Sequence, residues 1–204
     1  MSAASYEEVL APTLYFDKHF SIEAAKILPG EYYVTAREML LVTVLGSCVA
    51  ACVRDSVSGI GGMNHFMLPD SQEDMASING LSTRYGTYAM EVLINQLLKQ
   101  GAKKNRLEAK VFGGGNVLRG FTVSNVGLKN AEFVKSFLAL EQIPIVAEDL
   151  LDIHPRKVYF FPATGRVLVK KLKSVHNNTI VEREKIYGSR LTHMDKGGDI
   201  ELFS

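Results

Sequence analysis

Cysteine is scarce in this chain, net charge is nearly absent, and no apolar run is long enough to cross a membrane, so several chemistries drop out before any motif is read. Only two of the 204 residues are cysteine, Cys48 and Cys52. Both stand in a β-branched, apolar stretch that reads as extended chain, where a four-residue separation spans about 13 Å. A disulfide needs Cα atoms within about 7 Å, so the two should not bridge each other. Two thiols also fall short of a structural zinc site, and no histidine stands at finger-like spacing. Neither a metal nor an organic cofactor is expected.

The 23 basic and 22 acidic side chains leave a formal net charge of +1. Such a chain has no global field to gather phosphate backbones, and it has no long basic run interleaved with aromatics, so nucleic acid is not an expected partner. The N-terminus lacks the basic stretch and following apolar segment of a secretory signal. The stretch 39–53 is free of charge, yet it is shorter than the roughly 20 residues of a spanning helix and is interrupted by Gly46 and Ser47. These features predict a cytoplasmic protein without membrane insertion.

What is present is enough apolar residue for a core: 47% of the chain is apolar and 22% charged, which supports one globular domain without staples. The organisation expected is an N-terminal extension over 1–29, a domain over 30–175 and a charged C-terminal extension over 176–204. Within the domain, apolar patterning predicts strands over 31–34, 39–45, 49–53 and 60–66, with turn chemistry at Asp55-Ser56-Val57-Ser58-Gly59. The polar segment 69–81 reads as a surface loop facing substrate. An amphipathic helix is predicted over 84–100 with Gly101 placed to stop it, and a second over 130–140 with Ser124 or Asn125 as an upstream cap. Strands over 107–112 and 143–147 and a hairpin over 156–161 and 166–172 complete the list. Strands alternate with helices too seldom for a doubly wound parallel sheet, so the expected class is α+β with mixed sheets packed together and flanking helices. The closing segment 197–203 alternates polar and apolar residues and suits docking on a sheet edge.

The sharpest local feature is Leu45-Gly46-Ser47-Cys48, where a Gly-Ser pair interrupts a strand-like run just before a cysteine. Glycine there permits a backbone excursion that exposes the next side chain and turns neighbouring N–H groups toward it. Judged by its neighbours alone, Cys48 reads equally as a small buried hydrophobe. A reactive thiol needs a base, and His65 is available on the next strand. A hairpin register centred on Val57 pairs position 48 with 66 and leaves 65 adjacent. Cys52 faces the same side of its strand, deeper, and reads as structural. Phe112-Gly113-Gly114-Gly115-Asn116 lacks both the P-loop ending and the dinucleotide spacing. Its glycines suit a close backbone approach, either to the Cys48 turn or to a substrate chain.

The ordered strings Leu45-Gly46-Ser47-Cys48-Val49-Ala50-Ala51-Cys52, Gly62-Met63-Asn64-His65-Phe66-Met67-Leu68-Pro69 and Lys110-Val111-Phe112-Gly113-Gly114-Gly115 resemble CheD, the chemoreceptor glutamine deamidase family. The likeness continues through Asn125-Val126-Gly127, Asn130 and Ala147-Glu148-Asp149, and extends over about 30–171. The resemblance implies an α+β fold similar to the catalytic domain of bacterial deamidating toxins. It also implies Cys48 as nucleophile and His65 as acid/base, acting on the cytoplasmic domains of chemoreceptors in chemotaxis, with a CheC-type phosphatase as a further partner. The family's threonine, which orients the histidine, falls on Val42, and the threonine here is its neighbour, Thr43. Adjacent strand residues face opposite sides, so Thr43 serves as third member only if the strand is bulged, with Ser47 or a backbone carbonyl as substitutes. The implied reaction is attack of Cys48 on a glutamine Cδ, with Gly46 and Ser47 in the turn that holds the oxyanion. A nearby imidazolium is expected to lower the thiol pKa below its ordinary value. The rival expectation is a non-catalytic adaptor that binds receptors or the phosphatase and keeps Cys48 as core.

Overall fold

The computed structural model of the chain describes residues 13–69, 81–117, 126–172 and 178–194. The predicted loop after Pro69, the helix caps Ser124 and Asn125 and the edge-docking segment 197–203 lie outside the described residues. Among the described residues, ten strands form two five-stranded sheets that share one apolar layer.

The first sheet is built from β1 (Thr13–Asp17), β2 (Ile22–Lys26), β4 (Leu40–Leu45), β9 (Arg156–Phe161) and β10 (Arg166–Lys171), in the order β1-β2-β4-β9-β10. The second contains β3 (Tyr32–Thr35), β6 (Gly61–Asn64), β5 (Val49–Asp55), β7 (Leu107–Gly113) and β8 (Ile145–Leu150), in the order β3-β6-β5-β7-β8. Helix α1 (Leu81–Lys99) follows β6, and α2 (Val126–Leu140) makes the crossover between the parallel strands β7 and β8. A third helix, α3 (Asn178–Met194), follows β10. This is an α+β architecture. No helix among the described residues is long and apolar enough to cross a membrane.

The segment expected as an N-terminal extension supplies a hairpin, β1 with β2, and β2 then pairs in parallel with β4. Gly101 does end α1, in the left-handed conformation at φ 104°, and Ala102 N–H closes the last turn on Leu97 O.

Alternation along each strand decides which side chains reach which layer. In β5, Val49, Ala51 and Val53 join a core with α1 and α2, while Ala50 and Cys52, with Cys48 just before the strand, enter the layer between the sheets. Both faces of β5 are covered, which is why its sequence reads as a continuous apolar run. In β4, Leu41 and Leu45 face the inter-sheet layer, and Leu40 and Val42 face outward with Ala24.

The β5–β6 hairpin differs by one residue from the predicted register. Cys52 stands opposite Met63 and Val49 opposite Phe66, because the turn runs from Asp55 to Ile60 and its axis falls beyond Val57. Asp55 holds that turn. Its carboxylate accepts the N–H groups of Val57 at 2.9 Å, Ser58 at 3.1 Å and, across the fold, Lys103 at 3.0 Å. The shift matters because directly opposed residues share a face. Pairing 48 with 66 would have sent His65 to the helix side, whereas the observed register turns it into the inter-sheet layer with Cys48.

Candidate active site

Between β4 and β5 the chain leaves one sheet for the other through Gly46, Ser47 and Cys48, and every backbone polar group of this link has a partner. The three carbonyls point into the body of the protein. Gly115 N–H donates to Gly46 O at 2.8 Å and Gly114 N–H to Cys48 O at 2.8 Å, while the Asn130 amide donates to Ser47 O at 2.8 Å. The glycines make this approach possible: a Cβ on Gly113, which sits at φ 111°, would lie 2.2 Å from Cys48 O. Of the two roles the sequence allowed for Phe112–Asn116, the structure shows the approach to the Cys48 turn. Arg156, fully buried, fixes the same strand end by donating to Gly113 O at 2.6 Å and to Asp149 O at 2.9 Å.

With its carbonyls held this way, the link presents three N–H groups to the opposite side, and all three converge on the carboxylate of Glu184 from α3. Gly46 N–H donates to Oε1 at 2.9 Å, Cys48 N–H to Oε1 at 3.2 Å and Ser47 N–H to Oε2 at 3.0 Å. The Ser47 hydroxyl adds a bond of 2.6 Å to Oε2. Such a cluster of backbone donors is an anion-binding nest. Gly46 is required there, because a Cβ would stand 2.8 Å from each carboxylate oxygen and 2.9 Å from Val117 Cγ2.

His65 enters from the segment just after β6, its backbone tied to Glu31 O at 3.0 Å and to Gly30 N–H at 2.7 Å. Its Nδ1 lies 2.8 Å from Thr43 Oγ1, and the Thr43 hydroxyl lies 2.7 Å from Ile27 O. A carbonyl can only accept, so the single hydroxyl proton goes to Ile27 and Thr43 accepts from Nδ1–H. That assignment leaves Nε2 as the ring's lone-pair nitrogen, buried and without a hydrogen-bond partner among the described residues. Thr43 thus orients His65 without any bulge, since β4 runs in unbroken register against β9. Val42 points away from it. The expectation that alternation bars Thr43 is corrected: the inward positions of β4 are Leu41, Thr43 and Leu45, and it is Val42 that alternation excludes.

Cys48 is fully buried, and its thiol is pushed well above the ordinary value, first by burial and then by the neighbouring Glu184 carboxylate. Burial likewise holds the His65 imidazole down at about 4, against the opposing pull of Glu184. The expected imidazolium that would lower the thiol pKa is therefore not the state present, because the imidazole is neutral and a carboxylate stands beside the sulfur. Cys52, equally enclosed, is raised by burial. A cavity of about 250 Å³ runs beside this corner, lined by Lys26, Thr43, His65, Lys157 and Glu184 among others.

The structure places Gly46, Ser47 and Cys48 on the Glu184 carboxylate and Thr43 on His65, with Glu184 lining the same cavity as Thr43 and His65, and adds three residues that sequence reasoning assigned no role. Asn130 ties the segment after β6 to the β4–β5 link by accepting Leu68 N–H at 2.8 Å while donating to Ser47. Its signal was an uncharged polar residue at an apolar position of an amphipathic helix. Arg156 opens a strand, where nothing marks it as buried. Glu184 is one of 22 acidic side chains, in a segment rich in charge.

A family model described as CheD chemotactic sensory transduction matches residues 67–171. That match begins after Cys48 and His65, but whole-length relatives span both. A probable chemoreceptor glutamine deamidase CheD of Thiobacillus denitrificans is 66% identical over 200 residues, covering 98% of this chain and 99% of that protein. Its namesake in Herminiimonas arsenicoxydans is 65% identical over 198 residues, covering 97% and 98%. Among solved structures, the Bacillus licheniformis hypothetical protein YfiH aligns at a TM-score of 0.36 and 14% identity over 60% of this chain and 49% of that one, too distant to support any argument. On identity of this extent over nearly its whole length, the chain belongs to the CheD family.

Proposed function

We propose that this chain deamidates glutamine side chains on the cytoplasmic domains of chemoreceptors, through a thioester on Cys48. The observation that carries the reading is the nest at Gly46–Cys48, whose three N–H groups already hold a glutamyl carboxylate beside the cysteine. The product of glutamine deamidation is that same group.

With a substrate glutamine in the nest, its carbonyl oxygen takes the Gly46 and Cys48 N–H groups. Cys48 attacks Cδ as its thiol proton passes to His65 Nε2, the lone-pair nitrogen that Thr43 sets by holding Nδ1–H. Charge developing on the oxygen falls on donors fixed before the reaction, and one such donor is typically worth about 3 kcal/mol. The imidazolium returns its proton to the departing nitrogen, releasing ammonia, and the neutral ring then activates water to open the thioester. Glutamate and free thiol result. A neutral His65 is the right starting state for this sequence, because the base must accept before it donates. A glutamyl methyl ester fits the same steps, with methanol in place of ammonia. No residue in the sequence calls for a metal or an organic cofactor. The cytoplasm is where such receptor domains lie, and a CheC-type phosphatase is the further partner that family membership suggests.

The test is the intermediate itself. An acid-quenched mixture with a receptor cytoplasmic fragment should contain a covalent adduct lighter than the sum of its parts by one ammonia, absent with Cys48→Ala. Steady ammonia release by Cys48→Ala at the wild-type rate would remove the reading. One observation favours an adaptor instead: Cys48 has no exposed surface. An adaptor would bind the receptor fragment or the phosphatase equally well with Cys48→Ala and release no ammonia in either form.

A further inference from the structure

Residues 178–194 of the charged C-terminal segment form α3, and the one buried carboxylate among its described residues lies in the site described above. Glu184 is 4% exposed, whereas its neighbours Glu182, Arg183, Lys185 and Ile186 face solvent. The helix docks through one face. Tyr187 meets Tyr85 through its hydroxyl and lies so close to Gly30 that a Cβ there would stand 2.9 Å from the ring. Gly188 lies against Met67, and Leu191 is buried. Residues 184, 187, 188 and 191 are spaced as one helical stripe. Burying a carboxylate is costly unless donors meet it, and four do.

The pattern of those donors tells which ligand fits. Each carboxylate oxygen accepts two bonds, Oε1 from Gly46 and Cys48 N–H groups and Oε2 from the Ser47 N–H and hydroxyl. A glutamine in the same pose would satisfy the first pair with its carbonyl oxygen. Its NH₂ group, a donor, would then face the Ser47 N–H, another donor. The hydroxyl could turn to accept, but that N–H would lose its partner. The nest therefore holds a glutamate more firmly than a glutamine, and Glu184 presents to it the same side chain that deamidation would leave there.

Resting on the deamidase reading, we propose that α3 is a tethered product analogue: Glu184 occupies the subsite of the glutamate product, and turnover requires α3 to leave the Gly46–Cys48 turn. While it is seated, no outside side chain reaches the turn, and Cys48 stays covered. The charged C-terminal segment is then an intramolecular competitor, displaced by whatever binds the same face more tightly.

The experiment uses the full chain as wild type, Glu184→Ala, Glu184→Gln and Glu184→Gln with Cys48→Ala. Iodoacetamide labelling of Cys48 at one pH is read by mass spectrometry, with Cys52 as the internal measure of unfolding. If α3 holds the site closed most of the time, labelling should rise about tenfold or more in Glu184→Ala, because the competent fraction rises by that factor, while Cys52 stays silent. Equal Cys48 labelling in wild type and Glu184→Ala, with Cys52 silent, overturns the proposal. Should Glu184→Ala expose Cys52 too, Glu184→Gln decides, since it keeps the shape and loses the paired donors: faster Cys48 labelling with Cys52 silent supports the proposal, and unchanged labelling overturns it. A residue seated beside a working nucleophile has a second consequence. In Glu184→Gln the introduced carboxamide should be attacked at Cδ by Cys48, lose ammonia, and after hydrolysis return as glutamate, unless Cys48 is Ala. Ammonia release from a receptor fragment is followed in the same samples. Its absence from every variant would defeat the deamidase reading and leave the labelling result to judge α3.

Discussion

Cys52 lies in β5 and Cys48 just before it, with Ala50 between them on one face; both cysteines are buried and enter the same inter-sheet layer. Burial raises both thiols. What separates them is the backbone. At Cys52 the chain is in mid-sheet, paired with Met63 on one side and Lys110 on the other, so its N–H and C=O are committed to the ladder. At Cys48 the chain is crossing between sheets, the carbonyls are drawn inward by Gly114, Gly115 and Asn130, and the N–H groups are left aimed at a side-chain carboxylate. A buried cysteine becomes a candidate nucleophile here through the direction of the amides around it. Exposure does not distinguish the pair.

The hardest test of this contrast is to remove each thiol. Cys48→Ala should lower ammonia release from a receptor fragment by about a thousandfold or more, the scale that loss of a nucleophile costs, while Cys52→Ala keeps most of it. His65→Ala should fall nearly as far, and the double variant with Cys48→Ala no further, because both act in one covalent cycle. Comparable losses for Cys52→Ala and Cys48→Ala, with both proteins folded, would erase the distinction.

The next test leaves both cysteines in place and changes only the amides' surroundings. Gly46→Ala puts a Cβ 2.8 Å from where the carboxylate oxygens sit, too close for any carboxyl or carboxamide to keep its bonds. Activity should drop about a hundredfold, the scale of a lost oxyanion donor, with the stability cost of about 1–3 kcal/mol that overpacking brings. Ammonia assays beside urea melts separate the two effects. Full activity in a folded Gly46→Ala protein would show that the nest is not where the amide reacts.

How far the sequence foretold this site depends on how local each part is. The Gly-Ser-Cys interruption and the following histidine are local features, and both were readable. The identity of the third residue was not, because choosing between Val42 and Thr43 requires knowing which face of β4 meets the other sheet. That is a fact of packing. The hairpin register missed by one residue for a similar reason, since the axis of the turn is set by Asp55 and its backbone bonds. Strand β1 escaped notice because Leu14 and Phe16 are 54% and 59% exposed, so no buried face imprints an alternation on it. Glu184 could not have been found at all, because its role exists only where α3 meets a turn far away in the chain.

His65 offers a comparison with Cys48 in the pH dependence of stability. Its folded pKa, about 4, lies below the ordinary 6.5, so the unfolded chain takes up the proton first as pH falls. Stability from this group is complete above about pH 6.5 and is lost as pH falls from there toward 4, below which the loss levels off. The total is at most about 3 kcal/mol for a gap of this size. Urea midpoints of wild type should fall through that window, and those of His65→Gln should fall less. Parallel curves for the two proteins would mean that the imidazole is not held neutral.

The smallest effects come from the adjacent pair on β4, where one residue should matter and its neighbour should not. Thr43→Val keeps the shape of the side chain but removes the acceptor that fixes Nδ1–H, so part of the His65 population turns to the tautomer with Nε2 protonated and unable to accept from the thiol. Catalysis by a positioned base contributes roughly a hundredfold or more, and a base that is still present but partly mis-set should lose only a share of that, about tenfold in rate. The pH profile should shift with it, which a purely structural change would not do. Val42→Thr is the counterpart. Its side chain lies outward against Ala24 and Leu40, so the new hydroxyl meets an apolar cluster and costs about 1 kcal/mol or a little more in stability, while the rate and its pH profile stay as they are. A loss of about tenfold in the rate of folded Val42→Thr, with Thr43→Val unchanged, would mean that the inward face of β4 has been taken for the outward one.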